Sequence, residues 1–179
     1  MTSLLCILFV TAALAPWTIK WLGTRGFLVL SLPLAGGAIY TGTHLVRLAL
    51  DNGNGETSAL TQPAVTHFSW MPIIHLDVNL RLGPIESLFG TLVLTIGFLV
   101  LVYCSGYFIN PPLGKRRRVG SFAAQMIAFA AAMYGLVISD SIMLMFVFWE
   151  ITSVLSFLLV GYYAERASSR RAAGQALLV

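Results

Sequence analysis

The sequence predicts an all-α membrane protein of five transmembrane helices, with a small extracellular β-hairpin between helices 2 and 3. Three observations carry that expectation. Hydrophobic residues make up 58% of the chain and charged residues 10%, whereas the surface of a soluble domain needs about a quarter of its residues charged. Five apolar segments are long enough to cross about 30 Å of hydrocarbon at about 20 residues each. Lysine and arginine gather on one side of those segments, as the positive-inside rule requires of a polytopic protein.

The first span covers residues 3–22. MTSLLC has no basic residue before the apolar run, and no small-residue cleavage pattern precedes a soluble domain, so the segment reads as a membrane helix and not as a cleaved signal. The second span covers 27–50 and the third 84–109. Pro84 suits the first turn of a helix, and Glu86, in the same turn, suits the positive end of its dipole. The fourth and fifth spans cover 120–139 and 141–163. Between them Asp140 follows GLVIS and precedes SIMLM, which makes it the expected N-cap of the fifth helix.

The chain thus divides into residues 1–50 with helices 1 and 2, 51–83 as an extracellular loop, 84–163 with helices 3 to 5, and a cytoplasmic loop over 164–179. Within the long loop, DNGNGETS is rich in turn formers. HLDVNLRL then alternates apolar and polar side chains as a half-buried strand does, so two short strands are expected on the membrane surface. Trp21, Tyr40 and Trp70 are expected near span ends, as an interfacial aromatic belt.

Orientation follows from the basic residues. Lys20, Arg25, Lys115, Arg116, Arg117, Arg118, Arg166, Arg170 and Arg171 all fall on one side. The other side holds Arg47 and Arg81 against Asp51, Glu56, Asp77, Glu86 and Asp140. The amino terminus is therefore expected outside and the end of the chain in the cytoplasm, in a plasma-membrane protein with several spans. The KRRR run lies between two spans, where it sets topology and meets anionic lipid headgroups, so nucleic acid is not an expected partner.

Few residues are candidates for chemistry. Cys6 and Cys104 lie far apart inside spans, with no second ligand at metal spacing, and read as small packing residues. His67 and His75 read as surface histidines, since a metal site needs three or four converging ligands. No glycine loop suited to phosphate is present, and neither a cofactor nor a metal is expected. His44, Arg47 and Asp51 share one helix face. That face is either an interfacial ion pair with the arginine reaching outward or an exit path for protons in which His44 titrates.

Glu150 stands apart from these. It lies ten residues into the fifth span, about 15 Å from its outer end, close to the bilayer midplane. Snorkelling cannot bring it to water, so its side of the helix must meet protein or a hydrated channel. Ser153 shares its face, while Thr152 and Ser156 line a second polar strip. Burial raises the pKa of such a carboxyl and a nearby cation lowers it, which is how a proton-relay group is tuned. No other charged residue lies at that depth, so a partner cation must come from outside these 179 residues.

The segment SDSIMLMFVFWEITSVLSFLLVGYY, followed by ERASSRRAAGQALLV, resembles the fifth helix and following loop of the large A subunit of Mrp-type multisubunit sodium/proton antiporters. LVYCSGYF is similar to the end of that family's third helix. Family members often carry an Asp-Gly pair where this chain has Gly83 and Pro84. The resemblance extends to the related membrane subunits of respiratory complex I, in which a fifth-helix glutamate pairs with a lysine of the seventh helix; Glu150 falls on the glutamate position. The chain stops at QALLV, where a sixth helix is expected to begin, so it is expected to be either a fragment or one part of a subunit split between genes.

What the resemblance implies is a subunit of a heteromeric antiporter, exchanging cytoplasmic Na+ for external H+ under the proton-motive force, a secondary transporter and not an enzyme. The expected site is Glu150, supported by Ser153, Thr152, Ser156, Asp140 and His44. Partners are the other subunits, Na+, H+ and membrane lipids. The alternatives are a proton-pumping subunit of a complex I-like or membrane hydrogenase assembly, and a non-transporting scaffold.

Overall fold

The computed structural model describes residues 2–53, 64–71, 76–108 and 116–161. Helix α1 (Thr2–Leu22) turns through a single 3-10 segment (Gly23–Arg25) into α2 (Gly26–Gly53). Strands β1 (Ala64–Met71) and β2 (Leu76–Leu82) follow, and then α3 (Pro84–Tyr107), α4 (Arg116–Val137) and α5 (Ile142–Val160). All five helices are long and apolar enough to cross a membrane. The expected residues 164–179, with Arg166, Arg170 and Arg171, lie outside the described residues, as do Lys115, Glu56 and His75.

The tight α1–α2 reversal depends on Gly23, whose φ of 62° is a left-handed conformation that glycine adopts without a Cβ penalty. Prolines interrupt the ladders of α1 at Pro16 and of α2 at Pro33, each removing one backbone donor. Helix α4 starts at Arg116, earlier than the expected span at residue 120.

Helix α4 is the hub. It packs against α1, α3 and α5, while α2 lies along α3. Its inner faces are built from small residues, Gly120, Ala123, Ala130, Ala131, Ala132 and Gly135, which let helix backbones approach where no hydrophobic effect drives them together. A Cβ on Gly120 would stand 3.0 Å from the Pro16 Cα, and one on Gly135 would stand 2.6 Å from the Phe148 ring. Leu8, Ile19, Phe27, Leu34, Leu94, Leu101, Ile127 and Tyr134 fill the interior. Outward-facing Ile7, Val10, Leu14, Leu92, Ile96 and Leu99 form the apolar shell that hydrocarbon requires. Cys6 is exposed and Cys104 buried, both as free thiols.

The strands pair antiparallel, with Val65 opposite Arg81 and His67 opposite Asn79, and an irregularity between Ser69 and Met71. The second edge of β2 is also used. The Arg81 N–H donates to the Ile138 carbonyl at 2.8 Å and the Asp140 N–H to the Asn79 carbonyl at 2.9 Å, so the α4–α5 turn lies alongside β2 through a single antiparallel bridge, Leu80 opposite Ser139.

That pairing corrects the expected cap. Asp140 is exposed and its backbone N–H is bonded to Asn79 of β2, so α5 begins one residue later with Ser141 at the N-cap position (φ −111°, ψ 131°) and no side-chain cap bond. A second correction concerns the aromatic belt. Trp21 is 74% exposed at the end of α1, where its ring lies tilted beside Trp17, but Tyr40 lies midway along α2 (Gly26–Gly53).

Candidate functional site

Helix α5 is the most weakly enclosed span: 11% of its apolar window is buried, against 50% for α4. One face docks on α4 through Phe148, whose ring fills the hollow over Gly135, and through Leu144. Glu150 follows Phe148 by two residues, about 200° around the helix, and it is exposed. Trp149, Phe146, Val147 and Val154 are exposed with it.

The depth of this carboxyl is set by the helix. Glu150 is about 12 Å along the axis from Ile142, near the middle of α5. Among the described residues it has neither an ion pair nor a hydrogen bond. An ionised or even a neutral carboxyl facing lipid tails there costs several kcal/mol, so other protein or a lined aqueous path must cover it.

The neighbouring hydroxyls do not hold the carboxylate. Thr152 Oγ1 donates to the Trp149 carbonyl at 2.7 Å and Ser153 Oγ donates to the same oxygen at 3.1 Å. Both are bonds back into their own helix, which locally satisfy a hydroxyl inside an apolar span and tend to bend the helix. Ser156 is half-buried one turn further on. The structure therefore brings Ser153, Thr152 and Ser156 into the same stretch as Glu150 without making them its ligands.

Two expected supporting residues sit elsewhere. Asp140 belongs to the β2 contact. His44 lies on α2, half-buried, with Nδ1 3.2 Å from the Ser87 hydroxyl of α3. Arg47 is exposed, and the side chain of Asp51 lies outside the described residues. Glu86 has a structural duty: its Oε2 accepts the Gly83 N–H at 3.0 Å, closing the first turn of α3.

Sequence reasoning missed the company His44 keeps. Thr91 Oγ1 donates to Thr41 Oγ1 at 2.9 Å and lies 2.7 Å from the Ser87 carbonyl, and Thr41 Oγ1 donates to the Gly37 carbonyl at 3.0 Å. Thr41 and Ser87 are fully buried. The available signal was the run of Gly37, Thr41 and His44 at spacings of four and three on α2, matched by Ser87, Gly90 and Thr91 on α3.

Comparison with known proteins places these elements in a wider context. No family model matches the sequence. The chain is 32% identical over 154 residues to the Na(+)/H(+) antiporter subunit A1 of Staphylococcus aureus, covering 86% of this chain and 17% of that protein. It is 36% identical over 124 residues to the corresponding subunit A1 of Staphylococcus haemolyticus, covering 69% of this chain and 15% of that protein. Among solved structures, the Mrp complex from Dietzia sp. DQ12-45-1b contains a chain that superposes with a TM-score of 0.78 at 28% identity, over 99% of this chain and 17% of that one. The membrane-bound sulfane sulfur reductase, an archaeal respiratory complex, shares the fold at a TM-score of 0.72 and 17% identity, over 98% of this chain and 32% of that one. The chain thus spans about a sixth of the length of the curated relatives it matches.

Proposed function

The chain is homologous to A subunits of Na+/H+ antiporters, and from that premise we propose that it serves a multisubunit monovalent cation/proton antiporter, exchanging cytoplasmic Na+ for external H+ under the proton-motive force. Glu150 is the relay carboxylate of this reading. It takes up and releases a proton near the midplane, and a cationic side chain from protein beyond this chain shifts the balance between its charged and neutral forms. Other subunits of the complex and the surrounding lipids are the partners. The sheet end of the bundle faces outward, and the end bearing the exposed Lys20 and Arg25 faces the cytoplasm.

One observation supports this reading above the others. The helix turns its single midplane carboxylate away from the four helices it could have packed against, with the adjacent hydroxyls of Thr152 and Ser153 committed to the Trp149 carbonyl. A scaffold helix gains nothing from such a group, because leucine would suit lipid and a small residue would suit packing.

The test uses inside-out vesicles holding the complete complex without any electron donor, in which Na+-induced proton movement is followed. Glu150→Gln at equal assembled amounts is expected to lower exchange by about 10²-fold or more, the range seen for loss of a proton-transfer group. Unchanged exchange in Glu150→Gln would reduce the carboxyl to a structural acid and shift the reading to a scaffold. Proton movement that requires a reductant in the wild type would instead make the chain part of a redox-driven pump.

A further inference from the structure

Where α3 and α4 meet, they leave a hollow on the outside of the bundle. Its volume is about 240 Å³ and the residues lining it are apolar. Leu92, Ile96 and Val100 of α3 form one wall, and Met126, Phe129 and Met133 of α4 form the other. Small residues make room between them. A Cβ on Gly97 would stand 3.2 Å from the Ala130 Cβ and 2.8 Å from Leu34 Cδ2 of α2, so α3 sits close to its neighbours here and the larger side chains rise on either side. Leu92 and Ile96 are exposed, which opens the hollow toward the surrounding hydrocarbon.

Both walls continue toward the end of the bundle opposite the sheet. On α3, Ile96 and Val100 are followed by Tyr103 and Tyr107 at helical spacing, and on α4, Met126 is preceded by Phe122 and Arg118, so each series keeps to one helix face. Tyr103 and Tyr107 are exposed, with ring centroids 6.0 Å apart. The Tyr107 ring meets Phe108 edge-on at 5.1 Å, and Phe108 lies 5.5 Å from Phe122, which ties the tyrosine end of α3 to the first turns of α4. Each wall is thus apolar along its length and polar at the same end, with two phenols on α3 and, on α4, the run Arg116, Arg117 and Arg118 that opens the helix.

We propose that this face binds an anionic phospholipid, with one acyl chain lying in the hollow and the headgroup at the level of Tyr103, Tyr107 and Arg118. The lengths agree. Tyr107 is about 16 Å along α3 from Ile96, and Arg118 is about 12 Å along α4 from Met126, against about 15 Å for half the hydrocarbon thickness. A lipid whose phosphate stands at that end therefore brings the far half of its chain into the hollow. An apolar cavity of this size stays dry and takes an apolar guest. Tyrosine belongs at headgroup depth, phosphate accepts from phenol O–H and guanidinium N–H groups, and arginines clustered at a span end favour anionic headgroups. A helix of a partner protein would fill the hollow, but it would answer the positive charge at the end of α4 only by carrying an acid there. Lipid phosphate is present all along that interface.

This site goes beyond the α5 relay and does not depend on the antiporter reading, because its test reads no transport. The complete complex is placed in nanodiscs containing phosphatidylglycerol or phosphatidylcholine, each with the same photoactivatable group midway along one acyl chain, and the labelled peptides are mapped after irradiation. The anionic probe is expected to label the α3–α4 hollow at least about tenfold above the zwitterionic one, while both label the exposed Ile39 on α2 alike. Equal labelling of the hollow by the two probes would make its occupant ordinary surrounding lipid and overturn the site. Labelling by neither would mean that protein fills the hollow, and would overturn it as well.

Two variants separate the headgroup from the chain. Arg118→Gln is expected to lower the excess of anionic over zwitterionic label about fivefold, the effect of one basic residue near the membrane surface; an unchanged excess would overturn the headgroup assignment. Met126→Trp fills the hollow and is expected to bring anionic labelling at Ile96 down to the zwitterionic level. Undiminished labelling there would show that the chain lies elsewhere. Should Met126→Trp fail to assemble, the wild-type comparison and Arg118→Gln still decide.

Discussion

Phe148 and Glu150, two residues apart on α5, face opposite ways: the ring is buried against Gly135 of α4 and the carboxylate points out of the bundle. One helix therefore carries its anchor and its charge on separate faces. Substitutions on the two faces should have separable effects.

On the outward face, Glu150→Leu distinguishes lipid from protein as the covering medium. If lipid covered it, leucine would stabilise the complex. With a cationic partner in place, leucine leaves that charge buried and uncompensated, at a cost of about 3–5 kcal/mol. The expected outcome is a clear fall in the thermal midpoint of the purified complex, larger for Glu150→Leu than for Glu150→Gln.

On the inward face, Gly135→Ala places a methyl 2.6 Å from the Phe148 ring. The ring must move, and overpacking of this kind costs roughly 1–3 kcal/mol. Assembled amounts of Gly135→Ala should drop, and pairing it with Phe148→Leu should recover most of the loss. A double variant no better than the single would mean that the contact is not what seats α5.

Two further glycines should rank by what they face. A Cβ on Gly120 would stand 3.0 Å from the Pro16 backbone, which cannot give way, whereas one on Gly42 would meet Thr91 Cγ2 at an ordinary 3.6 Å. Gly120→Ala should destabilise the complex by about 1–3 kcal/mol. Gly42→Ala should be neutral to stabilising by up to about 1 kcal/mol, the helix propensity gained on leaving glycine. Thermal unfolding of the two variants side by side checks the order.

At the sheet end, the backbone of Asp140 matters and its carboxylate does not. Asp140→Ala keeps the N–H bonded to the Asn79 carbonyl and should fall within about 0.5 kcal/mol of wild type, as exposed substitutions do. Asp140→Pro removes that donor and should cost about 1–3 kcal/mol. Hydrogen exchange should find the Arg81 and Asp140 amides protected in the wild type and the Arg81 amide released in Asp140→Pro.

The spans were legible in the sequence because a bilayer demands about 20 apolar residues in a row, and that demand is written locally. The position of Glu150 near the middle of α5 was legible for the same reason. Which way each helix turns was not. A helix surrounded by lipid and protein is apolar on every side, so the 3.6-residue periodicity that marks a buried face in a soluble protein fades. His44 and Ser87 are 43 positions apart, and their meeting depends on how α2 and α3 pack. The cap of α5 was misplaced by one residue because the residue that competes for the Asp140 backbone, Asn79, lies in a strand of a distant loop. Polar faces within one helix are legible from spacing, whereas Thr41, Thr91 and Ser87 acquire meaning only when two helices bring them together.

The bonds from β2 to the α4–α5 turn also bear on how the protein is made. β2 is synthesised before α3, α4 and the turn whose carbonyl at Ile138 accepts from Arg81. Until that turn emerges on the same face of the membrane, β2 offers an open strand edge, the kind of surface that pairs with the wrong chain. The β2 edge is thus closed only after α4 and the following turn are made, and its closure reports that the α4–α5 hairpin has threaded in the correct direction.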